Sequence, residues 1–220
     1  MADEDPRRSP AGQRVWETAC ELFYREGIRS AGVAEIAERS GVGKPSIYRN
    51  FESKDGLALA YVHAKAVPAR DWLAAARAAS PGDPRAQLRQ VIGEIADQIG
   101  EPGYRGCPLV NASVEFPDHE HPVRRAVVSL KAEYLDLLTE LVTQLPVRDH
   151  KALGYMLQML VEGASVTSQI YSADRSADSL REAADRVVDS FLESASPEGP
   201  AVEGPSPAEG SPAGICVEER

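Results

Sequence analysis

Apolar residues in this chain recur at the three- and four-residue spacing that gathers side chains on one face of an α-helix, and no segment alternates as a strand would. The first stripe, Val15, Trp16, Ala19, Leu22 and Phe23, predicts a helix from Pro10 or Ala11 to Glu26, stopped by Gly27. Val33, Ile36 and Ala37 predict a second, short helix, with Glu35, Glu38 and Arg39 off its apolar face. Ser40-Gly41-Val42-Gly43 then breaks the period: Gly41 can take the left-handed conformation that ends a helix, and Val42 is left to plug the angle that follows. A third helix opens at Lys44-Pro45, where proline fits because first-turn N–H groups have no intrahelical acceptor. Ile47 and Phe51 would face inward, leaving Lys44, Pro45, Ser46, Tyr48, Arg49 and Asn50 outward. Two short helices across a glycine turn read as a helix-turn-helix. Its outward edge combines charge, hydrogen-bonding groups and a flat ring, and such a face suits a DNA groove.

Beyond Phe51, Ser53 is placed to cap a fourth helix with Asp55 in its first turn, running to roughly Arg77 and kinked or divided at Pro68. After the turn cluster Ser80-Pro81-Gly82-Asp83-Pro84, the stripe Leu88, Val91, Ile92, Ile95, Ala96 and Ile99 predicts another helix. A short helix over 108–116 and a long one from Pro122, ending before Pro146, follow. Two more are expected at about 148–171 and 177–194. The first carries Leu153, Met156, Leu157, Leu160 and Val161, then small residues Gly163, Ala164 and Ser165; the second carries Leu180, Ala184, Val187, Val188 and Phe191. These stripes can be a homodimer interface or core packing, and their combined apolar extent favours the interface. Residues 196–220, rich in Pro, Gly, Ser and Ala without periodicity, read as a disordered tail. The expected protein is all-α: a flexible arm over 1–9, in which Arg7 and Arg8 could touch phosphates, a helix-turn-helix domain over 10–56, a second helical domain over 57–195, and the tail.

Composition changes this picture little. At 220 residues, 43% hydrophobic and 26% charged, the chain can bury a real core in one or two domains. No apolar run is long enough to span a bilayer and MADEDPRRSP lacks the basic-then-apolar order of a secretory signal, so a cytoplasmic location without a membrane partner is expected. A net charge of −10 argues against a DNA partner until its distribution is read. Residues 1–65 hold ten Lys/Arg and ten Asp/Glu, and the whole deficit, 14 against 24, lies beyond them. Between Arg39 and Lys54, four cations face only Glu52.

Cys20, Cys107 and Cys216 are odd in number and far apart, which frames neither a disulfide scaffold nor a zinc site, and reduced thiols are expected. Asp118-His119-Glu120-His121 offers metal-binding side chains, but histidines two apart point away from each other on a helix, so a solvated loop is the preferred reading and no metal is expected. No glycine-rich phosphate loop, nucleophilic serine motif or paired metal ligands occur in the sequence, which leaves an enzyme without residues to carry it and calls for no cofactor.

The run Val33-Ala34-Glu35-Ile36-Ala37, Ser40-Gly41-Val42-Gly43-Lys44-Pro45-Ser46-Ile47-Tyr48-Arg49-Asn50-Phe51-Glu52-Ser53-Lys54 resembles the TetR/AcrR family of transcriptional regulators over about the first quarter of the chain. Gly106-Cys107-Pro108-Leu109-Val110-Asn111-Ala112 with Glu115-Phe116-Pro117-Asp118 is similar to a C-terminal segment of many members. The resemblance implies a homodimer whose recognition helices enter successive major grooves of a pseudo-palindromic operator, and a second domain that binds an effector. It carries DNA contact onto Lys44, Pro45, Ser46, Tyr48, Arg49, Asn50 and Lys54. Tyr48 and Lys54 suit phosphates, Arg49 guanine and Asn50 adenine, while Lys44 could serve either purpose. Where the family often has Thr or Ser opening the first motif helix this chain has Ala31-Gly32, leaving Gly32 a backbone-only phosphate contact. Where the family often has Ser as the next N-cap it has Gly43. Tyr104, Cys107, Asn111, Phe116, Tyr134 and Met156 are carried onto the walls of the effector cavity, although core filling explains most of them equally well.

The expected function is a ligand-responsive, sequence-specific regulator, more readily a repressor than an activator. A sensor of small molecules or thiol oxidation, working through Cys107 and a partner other than DNA, is the alternative.

Overall fold

The computed structural model describes residues 8–66 and 68–192, and over these the apolar stripes become ten α-helices. The extended pairing among the described residues is one isolated antiparallel bridge between Val147 and Leu192. Arg7, the proline- and glycine-rich tail and Cys216 lie outside the described residues.

Helix ends follow from local chemistry. Helix α1 (Pro10–Glu26) begins where Ser9 Oγ accepts the Gly12 N–H at 3.1 Å, and Gly27 at φ 97° ends it. Helix α2 (Val33–Ser40) stops at Gly41, whose left-handed φ of 66° returns its N–H to the Ala37 and Glu38 carbonyls. Helix α3 (Lys44–Phe51) follows with Pro45 in its first turn. Glu52, at φ 60°, then turns the chain into α4 (Lys54–Ala64), capped by Ser53 Oγ on the Gly56 N–H at 2.9 Å. Pro68 divides the expected long helix, so α5 (Pro68–Ala79) is separate. Asp83 caps α6 (Pro84–Gly100), α7 (Pro108–Glu115) and α8 (Pro122–Val142) both open on proline, and Asp149 caps α9 (His150–Ile170). Helix α10 (Ala173–Phe191) begins ahead of the expected Ala177 because Ser172 Oγ accepts the Arg175 N–H at 3.3 Å.

The helices bury two apolar cores. The first joins Val15, Leu22 and Phe23 of α1, Ile36, Ile47, and Leu57, Tyr61 and Val62 of α4 to Leu109 and Ala112 of α7, Phe116 and Val123. The second joins Leu73 and the stripe of α6 to Leu138 and Leu141 of α8, and to α9 and α10. Leu153, Leu157 and Val161, with Leu180, Ala184 and Val188, are buried in that second core. Core packing therefore takes the stripes from which the sequence suggested an interface. Met156 of the expected stripe is the exception: it stays exposed on α9 with Tyr155, Met159, Val166 and Ile170, and Tyr171 is exposed beyond the helix end.

The end of α3 meets the start of α4 with no slack: a Cβ on Gly56 would lie 2.4 Å from the Phe51 carbonyl oxygen, a backbone atom. Overpacking typically costs about 1–3 kcal/mol. Gly56→Ala is expected to lower stability by that amount in urea unfolding, and an unchanged midpoint would contradict this contact.

Candidate nucleic-acid interface

Ile47 and Val42 fill the angle between α2 and α3, at 2% and 6% exposure, and so hold the rest of α3 outward. Lys44, Pro45, Tyr48, Arg49 and Asn50 are exposed and Ser46 is half-buried. The N-terminus of α2 has no side-chain cap because Gly32 offers none, which leaves its first N–H groups open to an anion.

Local charge is redistributed by contacts the sequence did not reveal. The Arg39 guanidinium lies 3.4 Å from Glu21 and 3.3 Å from Glu26 of α1, and 3.7 Å from Glu35 of its own helix, so its charge is spent on three carboxylates, two of which bind α2 to α1. Lys54 donates to the Arg29 carbonyl at 2.9 Å. Burial holds its ammonium below the usual lysine pKa, while Glu115 and Asp55 pull the other way. Lys44 and Arg49 make no ion pair among the described residues. Asn50 donates to the Ser46 carbonyl at 2.7 Å and its carbonyl oxygen accepts from Ser9 Oγ at 3.3 Å, so its amide already braces α3 against the start of α1.

Two ties run from this unit to the other helices, and sequence spacing found neither. The Glu115 carboxylate, at the end of α7, accepts the Ile28 N–H at 3.0 Å and the Arg29 N–H at 2.6 Å. Gly27 beside it has room for no side chain at ordinary distance, since a Cβ there would come within 3.2 Å of the same carboxylate. Tyr24 Oη donates to the Gly106 carbonyl at 3.2 Å and accepts the Arg105 N–H at 2.7 Å, joining α1 to the loop before α7.

Between α1 and the second core lies a cavity of about 600 Å³, within the roughly 300–1,000 Å³ range of small-molecule sites. Trp16, Cys20 and Tyr24 of α1, Lys65 and Trp72 near the α4–α5 junction, Tyr104 and Cys107, Lys131 and Tyr134 of α8, and Glu162 and Ser165 of α9 line it. Of the residues that the resemblance assigned to an effector cavity, Tyr104, Cys107 and Tyr134 line this one. Asn111, Phe116 and Met156 stand outside the lining. Asn111 donates to the Arg105 carbonyl at 2.9 Å, Phe116 is buried in the first core with its ring 4.5 Å from that of His121, and Met156 is 44% exposed on α9.

Inside the cavity Lys131 is ion-paired with Glu162. Burial works against the Lys131 ammonium, but the Cys107 sulfur and the Glu162 carboxylate outweigh it and hold the pKa above the usual lysine value. Tyr104 Oη shares a 2.5 Å hydrogen bond with Ser165 Oγ, which also accepts the Cys107 N–H at 3.1 Å. Burial raises the pKa of Tyr134 and Tyr104, so both stay neutral phenols, and it pushes the Cys20 thiol up to about 12, which removes its thiolate near neutrality. Trp16 belongs to both regions. It is 1% exposed, stacks on Phe51 at the end of α3 with centroids 6.4 Å apart, and forms part of the cavity wall.

Among the described residues no group of three or more His, Cys, Asp or Glu side chains could hold a metal ion, and no helix is long and apolar enough to cross a membrane. His121, from the sequence's metal-like run, instead accepts the Val123 N–H and lies 3.3 Å from Asp55.

Comparison with known proteins meets this architecture at both ends. Residues 16–61 match the family described as bacterial regulatory proteins, tetR family, and residues 84–184 match the tetracyclin repressor-like C-terminal domain. The crystal structure of SCO4454, a TetR-family transcriptional regulator from Streptomyces coelicolor, is 35% identical, covers 83% of this chain and 96% of that one, and superposes with a TM-score of 0.79. Among curated relatives, the transcriptional activator FasR of Mycolicibacterium smegmatis is 46% identical over 55 residues, 25% of each protein. YvkB, an HTH-type transcriptional regulator of Bacillus subtilis, is 38% identical over 48 residues, 22% of this chain and 25% of YvkB. This chain therefore matches a quarter of the length of these curated relatives. With both family models matched and a solved regulator aligned almost end to end, this chain belongs to the TetR family and is a helix-turn-helix, DNA-binding transcriptional regulator.

Proposed function

We propose that the chain acts as a homodimeric repressor that occupies a palindromic operator until a small molecule enters the cavity behind α1. The observation that carries this reading is the double position of Trp16, one ring against Phe51 of the recognition helix and against the cavity. A ligand that needs more room beside Trp16 than the DNA-bound state allows would favour a different placement of α3, and a regulator of this kind needs a coupling of roughly 1–3 kcal/mol. Glu115 supplies a second route, because α7 begins at the cavity with Cys107, Pro108 and Leu109 and ends on the Ile28 and Arg29 amides.

On DNA, Arg49 reads a base edge, Lys44, Tyr48 and the Gly32 backbone fix the register on phosphates, and Pro45 and Ser46 allow close approach. Asn50 and Lys54 hold the reading head in shape through the contacts they already make, and DNA contact by either requires those contacts to be exchanged. The dimer forms through the exposed side of α9, where Tyr155, Met159, Val166 and Ile170 would otherwise stand in water. FasR is named an activator, but the match covers 25% of each protein and does not carry the sign of regulation to this chain.

Selection from a random DNA pool is expected to enrich a palindrome bound by two copies. Arg49→Ala should relax preference at one position per half-site, costing about 1–3 kcal/mol there, whereas Lys44→Ala should weaken all sequences alike and lower the salt slope by about one. Unchanged preference in Arg49→Ala would remove it as a base reader. Sedimentation should show a dimer that becomes a folded monomer when Met159 and Ile170 are both changed to Glu, and a dimer that survives would move the interface elsewhere. Glu115→Gln weakens two charge-assisted hydrogen bonds and should speed hydrogen exchange at the Ile28 amide, with about 1–3 kcal/mol lost in stability. Thiol oxidation that alters DNA binding and is abolished by Cys107→Ser would favour the sensor reading instead.

A further inference from the structure

Residues 104–107, between α6 and α7, form a short segment with little slack. The Tyr104 N–H donates to the Glu101 carbonyl at 3.1 Å, and Asn111 of α7 binds two more backbone groups: its Nδ2 donates to the Arg105 carbonyl at 2.9 Å and its N–H to the Cys107 carbonyl at 3.0 Å. Two further helices hold what remains. Tyr24 Oη of α1 accepts the Arg105 N–H at 2.7 Å and donates to the Gly106 carbonyl at 3.2 Å. Ser165 Oγ of α9 accepts the Cys107 N–H at 3.1 Å and shares a 2.5 Å hydrogen bond with Tyr104 Oη. The inner pair of residues thus binds α1 and the outer pair binds α9. Gly106, at φ 84°, also lies against Gln169 of α9. A segment bonded in this way moves with both helices or loses its contacts to one, and each polar group then left without a partner carries a desolvation cost.

The two helices carry different things. Helix α1 supports the recognition helix through Trp16 on Phe51. On α9, Ser165 and Gln169 meet the segment while the residues next to them, Val166 and Ile170, are 46% and 65% exposed on the side read above as the dimer face. One four-residue segment therefore spans from the support of the recognition helix to that face. The other ties of the reading head, Glu115 on the Ile28 and Arg29 amides and α4 on α8, meet the body at α7 and α8.

On a palindrome, each added base pair moves the half-sites apart by about 3.4 Å and turns one against the other by about 34°. The offset between dimer face and recognition helix then decides which spacing fits. Building on the reading of the chain as a dimer on a palindromic operator, we propose that Tyr24 and Ser165 are positioning residues for half-site spacing: by locking residues 104–107 between α1 and α9, they hold each recognition helix at a set offset from the dimer face. Neither side chain lies on the DNA-reading edge.

The test uses the full chain and the palindrome that it selects, versions of that DNA with the centre shortened or lengthened by single base pairs, and a DNA carrying one half-site. The unchanged chain is expected to lose affinity steeply at altered spacings. Tyr24→Phe and Ser165→Ala each remove two hydrogen bonds and should reduce that loss about tenfold, with binding to the single half-site unchanged and the dimer intact by sedimentation. The double variant should be no more tolerant than either single one, because both break the same run of contacts. Equal weakening on every DNA, the half-site included, would show a merely structural role and overturn the proposal, and additive effects in the double variant would overturn the shared run. The two substitutions lie on different helices, so if one variant fails to fold the other decides. Strict spacing in the unchanged chain with equally strict variants rejects this proposal alone. An unchanged chain that binds every spacing equally, as independent copies, rejects the dimer reading and this proposal with it.

Discussion

Helix α1 is held at once by the reading head, the cavity wall and the loop before α7, and the rest of the molecule is arranged around that constraint. Its Val15, Leu22 and Phe23 hold the reading head together from behind, Trp16 closes the cavity while stacking on Phe51, and Tyr24 is tied to the loop before α7. Interiors are packed densely enough that a shift at one surface of such a helix has to be taken up at another. The DNA-reading unit is therefore not an independent bead on a linker. Its core continues into α7, Phe116 and the start of α8, and the cavity opens where that core gives way to the second one.

Electrostatics adds selectivity to this frame. A chain of net charge −10 has to present its cations locally, and several near the reading head are already committed: Arg39 to three carboxylates, Lys54 to a backbone carbonyl. Lys44 and Arg49 are left on the exposed helix with Tyr48, a small cationic edge on an acidic protein. Such a surface favours a well-fitted DNA site over unselective phosphate attraction, because its salt-dependent term rests on few charges.

Much of this was legible in the sequence wherever a residue's role depends on near neighbours in the chain. The stripe from Val15 to Phe23, the left-handed Gly41, the Ser53 cap and the break at Pro68 are local, and helix boundaries followed from them. What periodicity could not decide was which partner an apolar face meets. Leu153 and Leu180 have the same spacing whether they face α6 and α8 or a second copy, and only packing shows that they are core and that Tyr155 and Met159 are the exposed set. The cavity was legible in part: Tyr104, Cys107 and Tyr134 came with the family resemblance, whereas Lys131 and Glu162, 31 residues apart, meet only across α8 and α9. The Glu115 tie to Ile28 spans 87 residues and has no sequence signal beyond a carboxylate after an apolar helix.

The central claim is that DNA reading and the cavity are one mechanical unit joined through α1 and α7. Hydrogen exchange of the full chain with and without its selected DNA tests this most directly, because opening is read amide by amide. The account predicts slower exchange on DNA not only in α2 and α3 but also at Ile28, Arg29 and the cavity wall from Tyr104 to Leu109. Protection confined to α2 and α3, with the cavity wall unchanged, would contradict it.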